Sequence, residues 1–279
     1  MTRAPKVVTI AAPHGPVLVS ADVHGNRADF ERLRDIFATL GPDAVWISVG
    51  DWVHGPDAAG RRDVRARDGE PLYDYDDETP EILRGLFALM DQKPRRVWSI
   101  LGNHEHAHIG GRRTRKFHDD EAAALEARLT LPEVLELRAR LSGWPMVVRL
   151  PALGVIVTHG ALGAGLDGPA DLEAIEYAGP NPDRAAELLH TGMTRYGFAP
   201  GEDERLLERL GAPGEYRVLV HGHDRDEDGW SATGARAALL CTSFGARRSR
   251  KAYLVLERPL GGLDDVREGF ELRRLWAGS

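Results

Sequence analysis

Seven side chains in this sequence have the chemistry to gather and activate an anionic substrate: Asp22, His24, Asp51, Asn103, His104, His159 and His223. They stand in five short blocks, Asp22-Val23-His24-Gly25, Gly50-Asp51, Gly102-Asn103-His104-Glu105, His159-Gly160 and Gly222-His223. Asp22 and His24 are one residue apart, so in an extended segment both point to one side and can reach one ion. Asp51 has two carboxylate oxygens and can bridge two ions. Asn103 offers a neutral carbonyl oxygen, and His159 and His223 offer imidazole nitrogens. This mixed ligation suits Mn²⁺, Zn²⁺ or iron better than Ca²⁺ or Mg²⁺. Two such ions roughly 3.5–4 Å apart can hold a bridging hydroxide that attacks phosphorus in line with the leaving group. His104, beside Asn103 but outside the ligand set, can protonate the leaving alkoxide as a general acid.

Every block ends an apolar run: Val17 to Ala21, Val45 to Val49, Val97 to Leu101, Val155 to Thr158 and Val218 to Val220. Such runs read as buried strands. Lys6 to Ala11 and Val17 to Ala21 read as two strands joined by the turn Pro13-His14-Gly15-Pro16. Arg27 to Leu40 places Phe30, Leu33, Ile36, Phe37 and Leu40 at helical spacing and stops at Gly41-Pro42. Thr79-Pro80-Glu81 opens a second helix with Thr79 as its hydroxyl cap. Asp119 to Leu141 reads as a helix interrupted at Pro132, with shorter helices near 182–189 and 202–210. The remaining strands are a pair over 145–150 and 154–158, then 217–220, 237–241, 252–257 and 270–276.

The front half alternates strand and helix, which dictates parallel pairing with right-handed crossovers. The sum is an α/β fold, a four-layer α/β/β/α sandwich of two mixed sheets with flanking helices. It reads as one domain over residues 1–279, with loop-rich insertions about 55–79 and 162–214. Ligands of open α/β sheets sit beyond the carboxyl ends of the strands, so the metal site is expected there.

A chain of 279 residues can bury a large core. Its net charge of -7 does not favour nucleic acid or an anionic membrane. The lone Cys241 excludes an internal disulfide and a thiolate zinc cluster. No apolar run approaches the ~20 residues that span a bilayer, and residues 1–15 do not read as a signal peptide. The expected location is the cytoplasm.

The five blocks, in this order, resemble the calcineurin-like metallophosphoesterase superfamily, leaning towards bacterial members of its phosphoprotein phosphatase (serine/threonine phosphatase) branch. The resemblance spans about Val17 to Glu257. It implies a first metal on Asp22, His24 and Asp51, and a second on Asp51, Asn103, His159 and His223, with His104 as the acid. The cofactor it implies is two divalent or trivalent ions, manganese first and iron or zinc as alternatives. The expected activity is hydrolysis of a phosphate monoester, on a phosphoprotein or a small phosphoester or nucleotide. The alternatives are a hydrolase of dinucleoside polyphosphates or cyclic nucleotides, and a metal-binding scaffold without turnover.

One block departs from the branch. Its pattern Gly-Asp-x-x-Asp-Arg-Gly is here Gly50-Asp51-Trp52-Val53-His54-Gly55-Pro56. The aspartate that orients the acid and the arginine that grips phosphate are both missing. His54, Arg112, Arg113 and Arg225 are the candidates to replace them, with Arg247 and Arg248 behind. In His221-Gly222-His223 the glycine register favours His223 as ligand. His221 remains a possible ligand, a substrate-facing group or an ordinary strand-end histidine.

Overall fold

A computed structural model of the chain describes residues 4–56 and 64–276. The strands are β1 (Val7–Thr9), β2 (Val17–Ser20), β3 (Val45–Ser48), β4 (Val97–Ser99), β5 (Val147–Leu150), β6 (Val155–Thr158), β7 (Val218–His221), β8 (Trp230–Ala232), β9 (Ala237–Leu240), β10 (Ala252–Leu256) and β11 (Leu272–Arg274). One sheet has the order β1-β5-β6-β7-β9-β8 and the other β11-β10-β2-β3-β4. Parallel runs β2, β3, β4 and β6, β7, β9 lie inside them. Antiparallel pairs occur in each sheet as well, so both are mixed, and the edge strand β1 joins β5 in parallel.

Helices α1 (Arg27–Thr39) and α2 (Thr79–Gln92) are the crossovers of the β2-β3-β4 run. Then come α3 (Asn103–His106), α4 (Glu121–Glu126), α5 (Leu131–Leu141), α6 (Pro169–Glu173), α7 (Asp183–Thr194) and α8 (Glu202–Arg209). Successive strand residues point to opposite faces, and burial follows that alternation. Val17, Val19, Val45 and Ile47 meet Val148, Val155, Val157, Val218 and Val220 between the two sheets. Leu18 and Trp46 face the other way and join Phe30, Leu33, Phe37, Ile82 and Leu86 of α1 and α2. On the far sheet Ile156 and Leu219 share a cluster with Leu206 and Leu207 of α8. These are the four layers. The parallel strands of both sheets run so that their carboxyl ends meet on one edge, which delivers the five blocks to one place.

Several elements differ from the sequence reading. β1 and β2 are joined by the Pro13 to Pro16 turn but do not pair with each other. β1 pairs with β5, and β2 with β3 and β10. Val8 and Val17 both bury between the sheets, so the Pro13 to Pro16 link crosses from one sheet to the other. Thr79 is not the cap of α2. Its hydroxyl accepts the His54 N–H at 3.2 Å. The 119–141 helix is two helices, broken before Thr130, whose N–H is taken by Glu133 Oε2 at 2.8 Å. Pro132 therefore sits in the first turn of α5, where its missing N–H has no partner to lose. The short β8 and α6 were not anticipated. Of the polar loop after Gly55, residues 57–63 lie outside the described residues. Among the described residues no helix is long and apolar enough to cross a membrane.

Candidate metal centre

The strands end and the chain turns sharply. Asp22, His24, Asp51 and His223 have φ of 38°, 47°, 52° and 73°. The Asp22 to His24 segment is therefore a turn and not the extended stretch its spacing suggested. Non-glycine residues in this region cost of order 1–3 kcal/mol each and persist only where the surroundings hold them. Here the loops hold each other. His24 N–H donates to Asp51 O at 2.9 Å and Gly25 N–H to Trp52 O at 2.9 Å. The buried Glu105 carboxylate accepts the N–H groups of Asp51, Trp52 and Gly102 at 2.8, 2.7 and 3.1 Å. A Cβ at Gly222 would strike Asp22 Oδ2, and one at Gly102 would strike Asp51 Oδ1. Only glycine leaves room for both carboxylates.

The ligand atoms converge. His24 Nδ1 faces the carbonyls of Val53 and His54 at 3.2 and 3.1 Å. His159 Nδ1 faces Val49 O at 2.9 Å. Carbonyls only accept, so both Nδ1 atoms carry the proton and both Nε2 lone pairs are free. Each Nε2 lies 3.5 Å from Asp51 Oδ2. Asn103 Oδ1 lies 3.0 Å from His159 Nε2 and 2.9 Å from His223 Nδ1. Asp51 is common to two clusters, one with His24 and His104 and one with His159 and His223, each with ligand atoms within 4.8 Å of one another. Asp22 Oδ2 accepts the His223 N–H at 2.9 Å, while the buried Asp22 Oδ1 has no hydrogen-bond partner.

These residues fit a pair of cations. With its oxygen inward, the Asn103 amide faces only acceptors. With its nitrogen inward, it would donate to His159, His223 and Asp51. A cation between these atoms selects the oxygen-inward orientation. Burial pushes the Asp22 carboxyl up, and the charge of Asp51 adds to it. Burial also pushes up Asp51 and Glu105. Such carboxylates call for positive charge. Burial drives His159 down to about 3 and His223 to about 2, and drives down His24 and His104. The imidazoles are therefore neutral, the form that ligates metal.

A cleft of about 880 Å³ opens beside this cluster, lined among others by Asn103, His104, Lys116, Tyr196 and His223. Arg112 and Arg113 line the same cleft. Arg225 lies in a neighbouring groove with Arg65, Arg67 and several acids. Arg247 is paired with Asp68 at 2.8 Å, and Arg248 lies over Trp276. His54 is behind His104 and not on the cleft. It is 2% exposed, with Nδ1 3.0 Å from His104 Nδ1. His221 turns away from the cluster, its Nε2 2.7 Å from Thr233 Oγ1 and its Nδ1 3.0 Å from Gly222 O.

Three residues took no part in the sequence reading as individuals. Glu105 ties two loops by backbone bonds, although its place in the Asn-His-Glu block was visible. Lys116 ends the basic run at 112–116 and sets its Nζ 3.3 Å over the Phe244 ring. Burial lowers its amine to about 8, against the pull of Asp51, Glu121 and Asp22. Glu121 is buried, with Oε2 3.5 Å from His104 Nδ1. The basic run 112–116 was legible as a possible phosphate-binding stretch, but no local pattern singles out Lys116 within it or marks Glu121, because both reach the site through folding of the loop before α4.

Fold and cluster together define an α/β protein with a candidate metal centre at the carboxyl ends of its strands. The chain matches the calcineurin-like phosphoesterase family over residues 15–225 and belongs to it. It is a phosphoric ester hydrolase. No curated protein matches the sequence at a significant level. Among solved structures it is similar to a protein serine/threonine phosphatase from Saccharomyces cerevisiae, at 14% identity and TM-score 0.58, over 90% of this chain and 76% of that one. It is similar to a cold-active protein-tyrosine phosphatase of a psychrophilic Shewanella species, at 17% identity and TM-score 0.58, over 91% and 77%. At these identities the likeness is one of fold.

Proposed function

We propose that the protein is a binuclear-metal phosphomonoesterase of the protein-phosphatase type. The observation that carries this reading is Asp51 Oδ2, set between the free Nε2 atoms of His24 and His159 at 3.5 Å each. Asp22, His24 and Asp51 would hold one ion, and Asp51, Asn103, His159 and His223 the other. When bound, two such ions polarise a phosphoryl oxygen and lower the pKa of a water. Lys116, Arg112 and Arg113 line the cleft and would offset the charge of the phosphate. His104 gives its proton to the leaving oxygen as the bond from phosphorus to that oxygen breaks. Burial and the neighbouring His24 favour neutral His104, and the negative charge of a docked phosphate opposes both.

The test is a Mn²⁺-supplemented panel of aryl monoester, aryl diester, phosphopeptide and dinucleoside polyphosphate. The reading expects monoesters to dominate. It expects Asp51→Asn to abolish turnover and His104→Ala to lower kcat by about 10²–10⁴. Full turnover in Asp51→Asn would refute it. Metal content without activity on any ester would leave a scaffold.

One observation favours a second reading. Tyr196 is 64% exposed on the cleft and lies flat on His223, with ring centroids 5.0 Å apart and 16° between planes. A planar base could continue that stack, beside a cationic wall suited to several phosphates. Faster turnover of the dinucleoside polyphosphate than of the phosphopeptide would select this reading.

A further inference from the structure

Behind His104, on the side away from the cleft, three imidazoles and a carboxylate stand in one file. His104 Nδ1 is 3.0 Å from His54 Nδ1. His54 Nε2 is 2.9 Å from His108 Nε2. His108 Nδ1 is 2.9 Å from Glu126 Oε1. The three histidines are buried, so bulk water does not interrupt the file. Glu126 closes it near the surface, where Arg138 Nη2 holds its other oxygen at 2.8 Å.

The direction of every proton along the file follows from its end. A carboxylate only accepts, and a neutral imidazole has one N–H and one lone pair. His108 Nδ1 must therefore donate to Glu126. That leaves His108 Nε2 bare, so it accepts from His54 Nε2–H. His54 Nδ1 is then bare in turn and accepts from His104 Nδ1–H. The Thr114 hydroxyl, 3.3 Å from the same His54 nitrogen, donates in the same sense. Glu121 Oε2 lies 3.5 Å from His104 Nδ1 but takes no hydrogen bond. The directional contact of His104 is the one to His54. Its Nε2 is left as the nitrogen free for chemistry: a proton taken up there makes the imidazolium, and that proton is the one His104 gives to the leaving oxygen.

We infer that His54, His108 and Glu126 are positioning residues for His104. Through two imidazoles, a carboxylate near the surface fixes the tautomer and ring orientation of a buried histidine. This rests on the reading of His104 as the proton donor. The file supplies that donor with the partner that the missing aspartate would have been. An orienting carboxylate matters because the wrong tautomer presents the wrong nitrogen, and misorientation of a catalytic histidine costs orders of magnitude in rate.

The experiment uses the 279-residue chain loaded with Mn²⁺ and two monoesters. 4-Nitrophenyl phosphate has a weakly basic leaving group that departs with little help from an acid. A phosphoserine peptide has a strongly basic one that needs the proton. Glu126→Ala is expected to lower kcat on the phosphopeptide by about tenfold or more, on the aryl ester by no more than about twofold, with KM unchanged on both. Arg138→Ala removes the ion pair of Glu126 and leaves the file, so both rates should stay within about twofold of the parent. Equal losses on both esters in Glu126→Ala, or no loss on either, would overturn the relay.

A second variant guards against a merely structural effect. In His54→Asp an oxygen replaces Nδ1 on the same Cγ, so a carboxylate meets His104 directly. Adding Glu126→Ala in that background should cost the phosphopeptide rate nothing more. A further loss as large as in the parent would overturn the proposal. His104→Ala separates the two claims. It must show the same preference between esters. If it slows both equally, the acid reading fails and the relay falls with it. If it discriminates while Glu126→Ala does not, only the relay fails.

Discussion

Glu105 accepts the backbone N–H of Asp51 at 2.8 Å, and its other oxygen accepts that of Trp52 at 2.7 Å. One buried side chain from α3 thereby holds the turn after β3 in its left-handed form. The carboxylate of Asp51, a proposed metal ligand, is aimed by a residue outside the proposed ligand set.

Glu105→Gln tests this directly. The variant keeps the shape but turns one acceptor into a donor that faces backbone N–H groups. An unsatisfied buried donor costs ~1–3 kcal/mol, more beside a former charge. Urea unfolding should show a loss of ~2–3 kcal/mol, with metal affinity reduced as well. An unchanged midpoint would mean the clamp is dispensable.

Metal removal should destabilise the fold. Burial holds Asp22, Asp51 and Glu105 above their ordinary range, and cations relieve that cost. Metal at about 100 times its Kd adds ~2.7 kcal/mol through binding to the folded state alone. Thermal unfolding in chelator should therefore start lower and recover with Mn²⁺, while Asn103→Leu should bind fewer ions per chain by elemental analysis. Identical melting curves with and without chelator would contradict a metal-coupled fold.

Gly222→Ala should injure the site more than the core. The added methyl collides with Asp22 Oδ2 and comes within 2.6 Å of Val49 Cγ2. We expect loss of bound metal and of turnover at a stability cost of ~1–3 kcal/mol, the range for overpacking. Wild-type metal content in this variant would show that the loop can shift at no cost.

The loop that carries Tyr196 should lose stability in acid. Arg195 grips Glu202 with both terminal guanidinium nitrogens. That grip lowers the Glu202 carboxyl from 4.5 to about 2. A carboxyl depressed in the folded state adds stability that is complete above 4.5 and disappears as pH falls towards about 2. Because the pair is partly exposed, Glu202→Gln should cost only ~1 kcal/mol at pH 7. The difference from the parent should shrink through this window, as read from urea midpoints at several pH values. A gap that stays constant down to pH 2 would rule the pair out as the cause.

Tyr196→Ala should separate the two substrate readings. Losing the exposed ring should raise KM for a dinucleoside polyphosphate and leave that for a phosphopeptide nearly unchanged. Equal effects on both would remove the stacking argument.

Much of the fold was legible. The apolar runs are short and β-rich, and α1 shows its face at Phe30, Leu33, Ile36 and Phe37, all buried. The sheet assignment of β1 was not legible, because pairing is decided by which surfaces meet in three dimensions. The break before Thr130 was displaced from the proline that signalled it, since proline is welcome in a first helical turn.

By itself, the sequence determined the types of the candidate ligating residues and their setting at strand ends, because turn glycines, apolar runs and polar blocks are local signals. It also exposed the histidine standing three positions after Asp51. Only the tertiary structure decided what that histidine touches, which cations line the cleft, and which carboxylate stands at the end of the His54 file. Asp22 and His223 share a hydrogen bond across 201 positions. Coordination and proton direction act over about 3 Å, and no spacing along the chain specifies such distances until the two sheets have packed.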